Sequence, residues 1–156
     1  MIMARIEKLE YIWMSMLGRC ARVGHLKSKV CKEWRTFENF AQWANNRYFE
    51  GSHLDKDILG NGDRLYSPET CAFVTSALNL WYKDGKWLHY NFAKPIRVNG
   101  HLRYEAAVGK LSFGVYLTEK RAKEASRQYL YDTLVAFGNA EPDPRVRTRL
   151  FNFKFK

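Results

Sequence analysis

Asp55, Asp57 and Asn79 are the residues of this chain whose types best suit phosphodiester chemistry. Two carboxylates flanking Lys56, with a carboxamide further on, can hold a divalent cation or orient a phosphate. All lie in one stretch from Leu54 to Asn79, LDKDILGNGDRLYSPETCAFVTSALN. The run from His53 to Leu59 predicts a strand. Gly60-Asn61-Gly62-Asp63 is a strong turn signal. Leu65-Tyr66 continues beyond it, Pro68 limits ladder pairing, and the run from Cys71 to Val74 is apolar. Thr75 or Ser76 can cap a helix that carries Asn79 and ends near Tyr82. The expected unit is strand, turn, strand, helix. His53 lies two residues before Asp55, so strand alternation puts both on one face and makes His53 a candidate base.

The elements before this stretch are helical. Ile2, Ile6, Leu9, Ile12, Trp13, Met16 and Leu17 recur at spacings of three and four, which predicts a helix from Ile2 to about Arg22. The basic connector Arg22 to Lys29 is either a phosphate-contacting loop or a solvated turn. Val30 to Trp34 is a short strand or turn. Thr36 is a plausible N-cap with Asn39 at the capping-box position, ahead of an apolar stripe of Phe37, Phe40, Ala41, Ala44 and Tyr48. Those aromatics, with Trp34 and Trp43, read as core, because a small domain needs large side chains to fill its interior.

Beyond Lys83-Asp84-Gly85-Lys86 the period changes. Strand signals fall at Trp87 to Phe92, Ile96 to Val98, Leu102 to Val108 and Leu111 to Leu117, with Asn99-Gly100 as a hairpin turn. Thr118 then caps a helix whose buried stripe is Ala122, Ala125, Tyr129, Leu130, Leu134 and Phe137, and Gly138 fits its C-cap. Arg121, Lys123 and Arg127 point away from that stripe and are counted as candidate DNA contacts. The basic tail from Glu141 to Lys156 is either a terminal strand or an arm that orders on a partner. The fold class is α+β, with domains at 1–82, 83–138 and a tail at 139–156.

Composition sets the partner class. Lys and Arg number 26 against 16 Asp and Glu, a net charge of +10 on 156 residues. The sequence pI is about 9.6. Such a balance favours a nucleic-acid partner, because neutralising phosphates releases counterions. No apolar run is long enough to span a membrane, and no membrane partner is expected. Cys20, Cys31 and Cys71 lack paired metal-ligand spacing, so zinc is not expected, and they read as reduced thiols in a core.

Four motifs in order resemble the phage-encoded HNH-type homing endonucleases. They are Trp13-x-x-Met16-x-x-Arg19-Cys20, Val30-Cys31-x-x-Trp34-x-x-Phe37-x-x-Phe40, Leu54-Asp55-Lys56-Asp57, and Tyr66-Ser67-Pro68-Glu69-Thr70-Cys71. The likeness runs from Trp13 to Asn79. It implies a ββα-metal finger flanked by N-terminal helices, with Mg²⁺ or another divalent cation held by Asp55 and Asn79, and Asp57 beside them. A second likeness covers Trp87 to Phe137. Arg103-Tyr104-x-Ala106-x-Val108, Gly114-x-Tyr116-x-Thr118 and the helix bearing Ala122 and Ala125 resemble the plant ethylene-response-factor DNA-binding domain. That likeness implies a small antiparallel sheet of three or four strands packed on a helix, with Trp87, Arg97 and Arg103 contacting DNA.

The departures from the HNH pattern divide the functional reading. Active members of the family place an Asp-His pair on the first strand, the imidazole acting as general base. Here Asp55-Lys56 stands in that place, and Thr70 aligns with the family's central Asn. Lysine is protonated at neutral pH and is a poor base unless strongly desolvated. General-base assistance contributes ~10²–10⁴-fold, so its loss leaves slow metal-promoted nicking at best. One reading is a metal-dependent DNA endonuclease working through Asp55, Lys56, His53 and Asn79. The alternative is a non-catalytic DNA-binding regulator, or a phage inhibitor of a host protein, on the same scaffold. A weaker third is an RNA-binding protein. The implied partner is double-stranded DNA, with a host protein in the alternative, in the cytoplasm of an infected bacterium.

Overall fold

A computed structural model describes residues 2–22, 28–60, 62–83 and 92–153. Trp87 and nearly all of the strand expected around it lie outside the described residues, as does Asn61. The chain divides into two compact units, Met1–Lys83 with Pro142–Arg149, and Asp84–Glu141 with Leu150–Lys156. The architecture is mixed α+β with small sheets. No helix among the described residues is long and apolar enough to cross a membrane.

The first unit begins with α1 (Ile2–Ala21), as the apolar period predicts. Leu9 and Met16 are buried, and Ile12, Trp13 and Leu17 pack beside them. A short strand β1 (Lys29–Val30) and a 3₁₀ turn (Glu33–Arg35) lead into α2 (Phe37–Asn45). The aromatic residues are core. Trp34 lies 5.2 Å from Phe40 and 4.5 Å from Trp43, ring centre to ring centre, and Trp43 and Tyr48 both lean on Phe73. Trp13 Nε1 donates to the Trp34 carbonyl at 2.8 Å, tying α1 to this cluster. Thr36 does not cap α2 with its side chain. Its hydroxyl and the Asn39 amide both donate to the Glu33 carbonyl instead, so the two polar residues close the preceding 3₁₀ turn.

The strand expected from His53 to Leu59 is shorter. β2 (Ser52–Asp55) stops at Asp55, and a single helical turn α3 (Asp57–Gly60) follows. The cause is local. Asp55 Oδ1 accepts the Asp57 and Ile58 amides at 3.0 and 2.9 Å, which caps a helix start and removes those amides from any ladder. Leu65-Tyr66 does form a strand, β3, but not beside β2. It pairs in parallel with β1, Lys29 opposite Leu65 and Val30 opposite Tyr66. The antiparallel partner of β2 is β4 (Ala72–Thr75), with Ser52 opposite Thr75 and Asp55 opposite Ala72. α4 (Ser76–Lys83) follows at once, and Thr75 Oγ1 accepts the Leu78 amide at 3.2 Å as the cap. Thr70 fastens the intervening loop, donating to the Leu65 carbonyl at 2.6 Å and accepting the Ser67 amide at 3.1 Å.

The second unit is an antiparallel sheet of β5 (Ala93–Val98), β6 (His101–Val108) and β7 (Leu111–Tyr116) packed on α5 (Glu119–Ala140). Asn99 and Gly100 both take positive φ, 48° and 80°, the conformation that two-residue hairpin turns require. Ala93, Ala106 and Ala122 form the contact layer, with Tyr104, Phe113, Tyr116 and Ala125 around them. Thr118 Oγ1 accepts the Arg121 amide and caps α5. The helical stripe holds a residue that hydrophobicity does not reveal, Ser126, fully buried and donating to the Phe92 carbonyl at 2.7 Å. Gly138 is not a C-cap: α5 runs on to Ala140. A Cβ at Gly138 would stand 2.5 Å from Phe151 Cε1, so glycine is there to let that ring approach. The tail is neither strand nor arm over Pro144–Phe151, which is helix α6. Asp143 supplies its cap, accepting the Arg145 amide at 2.9 Å.

The Ser126 bond generates a stability test. Ser126→Ala leaves a buried carbonyl with only a long 3.5 Å bond from the Ala107 amide. The expected loss is about 1–2 kcal/mol in urea unfolding followed by circular dichroism. An unchanged midpoint would show that this bond does not hold α5 to the start of the sheet.

Candidate functional site

The acidic run and the helix residue are held by different environments. Asp55 is only 4% exposed. Its carboxyl lies above the ordinary carboxylate range, chiefly because burial disfavours the charge, with Asp57 adding repulsion and the Ile58 and Asp57 amides opposing both. Its neighbour His53 is exposed, so the two side chains lie in different environments although both stand in the ladder of β2.

Lys56 and Asp57 satisfy one another. Lys56 Nζ donates to Asp57 Oδ1, with the lysine side chain 13% exposed. The same ammonium lies 5.7 Å from the Tyr66 ring centre, and the Arg19 guanidinium lies 5.5 Å from it. Burial pushes the Tyr66 hydroxyl up to about 12, so the ring serves as a neutral platform for two cations. Lys56 is therefore an ion-paired, ring-packed side chain.

Asn79 meets His53. Asn79 Nδ2 stands 3.5 Å from His53 Nδ1, at the outer limit of a hydrogen bond. β2 and α4 bring the pair together, because β4 aligns His53 opposite Val74 and runs directly into the helix. The pair faces a groove of about 210 Å³ whose other wall is α1, with Lys8, Tyr11, Ser15 and Arg19. Among the described residues lining this groove, none is acidic. Asp55 and Asp57 are not in it. Sequence reasoning passed over the α1 wall, yet its signal was present. Residues 8, 11, 15 and 19 repeat at three and four, a second stripe beside the buried one.

The sheet separates the other candidates. Pro95 pairs with Tyr104, and Tyr104 packs toward α5. Arg97 is two residues from Pro95 and shares that side, whereas Arg103, opposite Ile96, belongs to the other face. Arg97 donates to the Gly100 carbonyl at 3.0 Å and Arg103 to the Leu102 carbonyl at 2.8 Å. On α5, Arg121 precedes the buried Ala122 while Lys123 and Arg127 follow Ala122 and Ser126, which places them on opposite flanks of the stripe. Lys123 pairs with Glu119 one turn earlier. Cys20 and Cys31 are half-buried and Cys71 is buried; none is in a disulfide, and all pack on the first unit's core. Burial raises Cys71 to about 12, leaving it inert as a nucleophile.

No protein-family model, no curated protein and no solved structure matches this chain.

The Asp55 geometry makes a pH prediction. A carboxyl raised by burial binds its proton more tightly in the folded state, so stability falls as pH rises from 3.8 through the folded value. Asp55→Asn keeps an oxygen for the two amides and removes the charge. Its unfolding midpoint is expected to equal or exceed that of wild type at pH 7, and the advantage is expected to shrink below pH 4. Asp55→Ala strands both amides and is expected to lose about 1–2 kcal/mol. Thermal melts of the three proteins from pH 3 to 7 give the comparison. An Asn variant less stable than the Ala variant would refute the cap.

Proposed function

We propose that β2, β4 and α4 are an HNH-type finger that has given up metal chemistry, and that the protein is a non-cleaving, DNA-binding protein of the phage type. The observation that carries this reading is the hydrogen bonding of Asp55. Its Oδ1 is taken by the Asp57 and Ile58 amides in a buried setting, which leaves only Oδ2 where an active finger needs a ligand. Mg²⁺ or another divalent cation would require Asp55, Asp57 and Asn79 to converge on it. The donor set does not fit: Asp55 is buried, Asp57 is neutralised by Lys56, and Asn79 stands in a groove with Lys8 and Arg19. A cation there would meet two like charges.

The net charge of +10 supports DNA as the partner through phosphate attraction. In the second unit Arg103 is the candidate base contact, being on the sheet face opposite α5. Trp87, Arg97, Arg121, Lys123 and Arg127 are candidates for the remaining contacts. Supercoiled plasmid incubated with Mg²⁺ or Mn²⁺ is expected to stay uncut, while duplex affinity measured by fluorescence anisotropy falls steeply with salt. Arg103→Ala is expected to weaken duplex binding by about tenfold. Metal-dependent nicking that Asp55→Asn abolishes would restore the endonuclease reading. Failure to bind DNA at low salt would leave the version in which a host protein is the partner.

A further inference from the structure

We infer that the groove between α1, β2 and α4 is a metal-independent seat for one nucleotide of single-stranded DNA. The inference rests on the DNA-binding reading above and narrows it. The first support is charge. Lys8 and Arg19 enter the groove from α1, and none of its described lining residues is acidic. They stand against the faces of Tyr11 and Tyr66, and neither forms an ion pair with a described carboxylate, so their charge is available to an anion. The second is donor chemistry. The Ser15 hydroxyl, the Asn79 amide and the His53 ring line the same space, which gives phosphate oxygens hydrogen-bonding partners beside the two cations.

The third support selects the strand state. Tyr11 lines the groove and is 68% exposed, although it is a large aromatic side chain on a helix with its own buried stripe. Lys8 Nζ lies 5.9 Å from its ring centre. A phosphate drawn to Lys8 therefore brings its base to the tyrosine. In a duplex both faces of each base are already stacked, so this ring can pair only with an unpaired base. The groove volume, about 210 Å³, agrees. It takes a phosphate and sugar. Ile12 and Leu54 supply an apolar lining for the sugar.

The test is anisotropy of labelled dT20, rU20 and a 20-base-pair duplex in buffer with EDTA, using the full chain. Tyr11→Ala is expected to weaken dT20 binding by about tenfold, and Tyr11→Phe to keep it. Lys8→Ala is expected to lower the salt slope for dT20 by about 0.7. Neither change is expected to alter duplex binding by as much as about twofold, because the duplex uses other surfaces. Both side chains are exposed, so folding is preserved and circular dichroism verifies it. If Tyr11→Ala leaves dT20 binding intact, or weakens the duplex equally, the single-strand seat is overturned while the DNA-binding reading stands. A preference for rU20 of tenfold or more overturns the assignment to DNA. If wild type binds none of the three, the inference and its parent reading fall together.

Discussion

Asp55 Oδ1 accepts two backbone amides, those of Asp57 and Ile58, and the shape of the first unit follows from this pair of bonds. A carboxylate at the end of a strand can continue the ladder or start a helix. Here it starts one, and α3 carries Ile58 into full burial. The chain then leaves the edge of β2, so Leu65-Tyr66 pairs with β1 and the place beside β2 is filled by β4. Because β4 runs straight into α4, Asn79 arrives next to His53. Burying a carboxylate is unfavourable, and hydrogen bonds to a charged acceptor offset it. An atom that holds this turn together has little capacity left for a cation.

The same economy of polar groups runs through the first unit. Lys56 is paired with Asp57 and rests near Tyr66, its stem largely buried as long basic side chains allow. Ser67, Glu69 and Thr70 close their own loop, and the Ser67 hydroxyl holds Glu69 below its ordinary range. These contacts are internal and keep the unit folded. Lys8 and Arg19 differ. They meet aromatic faces, which attract cations without neutralising them. Charge that the fold does not cancel is charge a ligand can use, and two such cations stand on the α1 wall of the groove.

Much of this was legible along the chain, and the failures have physical causes. The apolar period of α1, the aromatic core, the Asn99-Gly100 turn and the Thr118 cap are local signals, and each survives in the fold. Strand partnership is not local. The turn at Gly60 to Asp63 pointed to a hairpin, yet pairing is decided by where Asp55 sends the chain, which takes a side-chain bond to see. The tail misled because Phe151, Phe153 and Phe155 alternate. Asp143-Pro144, an acceptor followed by a residue pre-set for the first helical position, was the stronger signal and was overlooked. Gly138 looked like a C-cap because glycines usually end helices, and only Phe151 explains it. His53 and Asn79 were both named in advance. Their shared groove was not, because its second wall comes from a helix more than 30 residues upstream.

On the proposed reading, the sheet limits how the second unit can meet a duplex. Alternation puts Arg97 and Arg103 on opposite faces, and α5 covers one of these faces with Ala122 and Ala125. On the proposed reading, a base-contacting role therefore falls to Arg103 and its face-mates Lys94 and Glu105, which pair across β5 and β6. Glu105 matters here, because a carboxylate among the cations repels phosphate and tolerates only base edges that donate. Arg97, by contrast, sits beside the hairpin turn with its guanidinium on the Gly100 carbonyl, where a backbone phosphate is the natural contact. Affinity and selectivity would then have separate sources. Phosphate attraction would come from charge spread over the chain, and discrimination from the few side chains on one face of a three-stranded sheet.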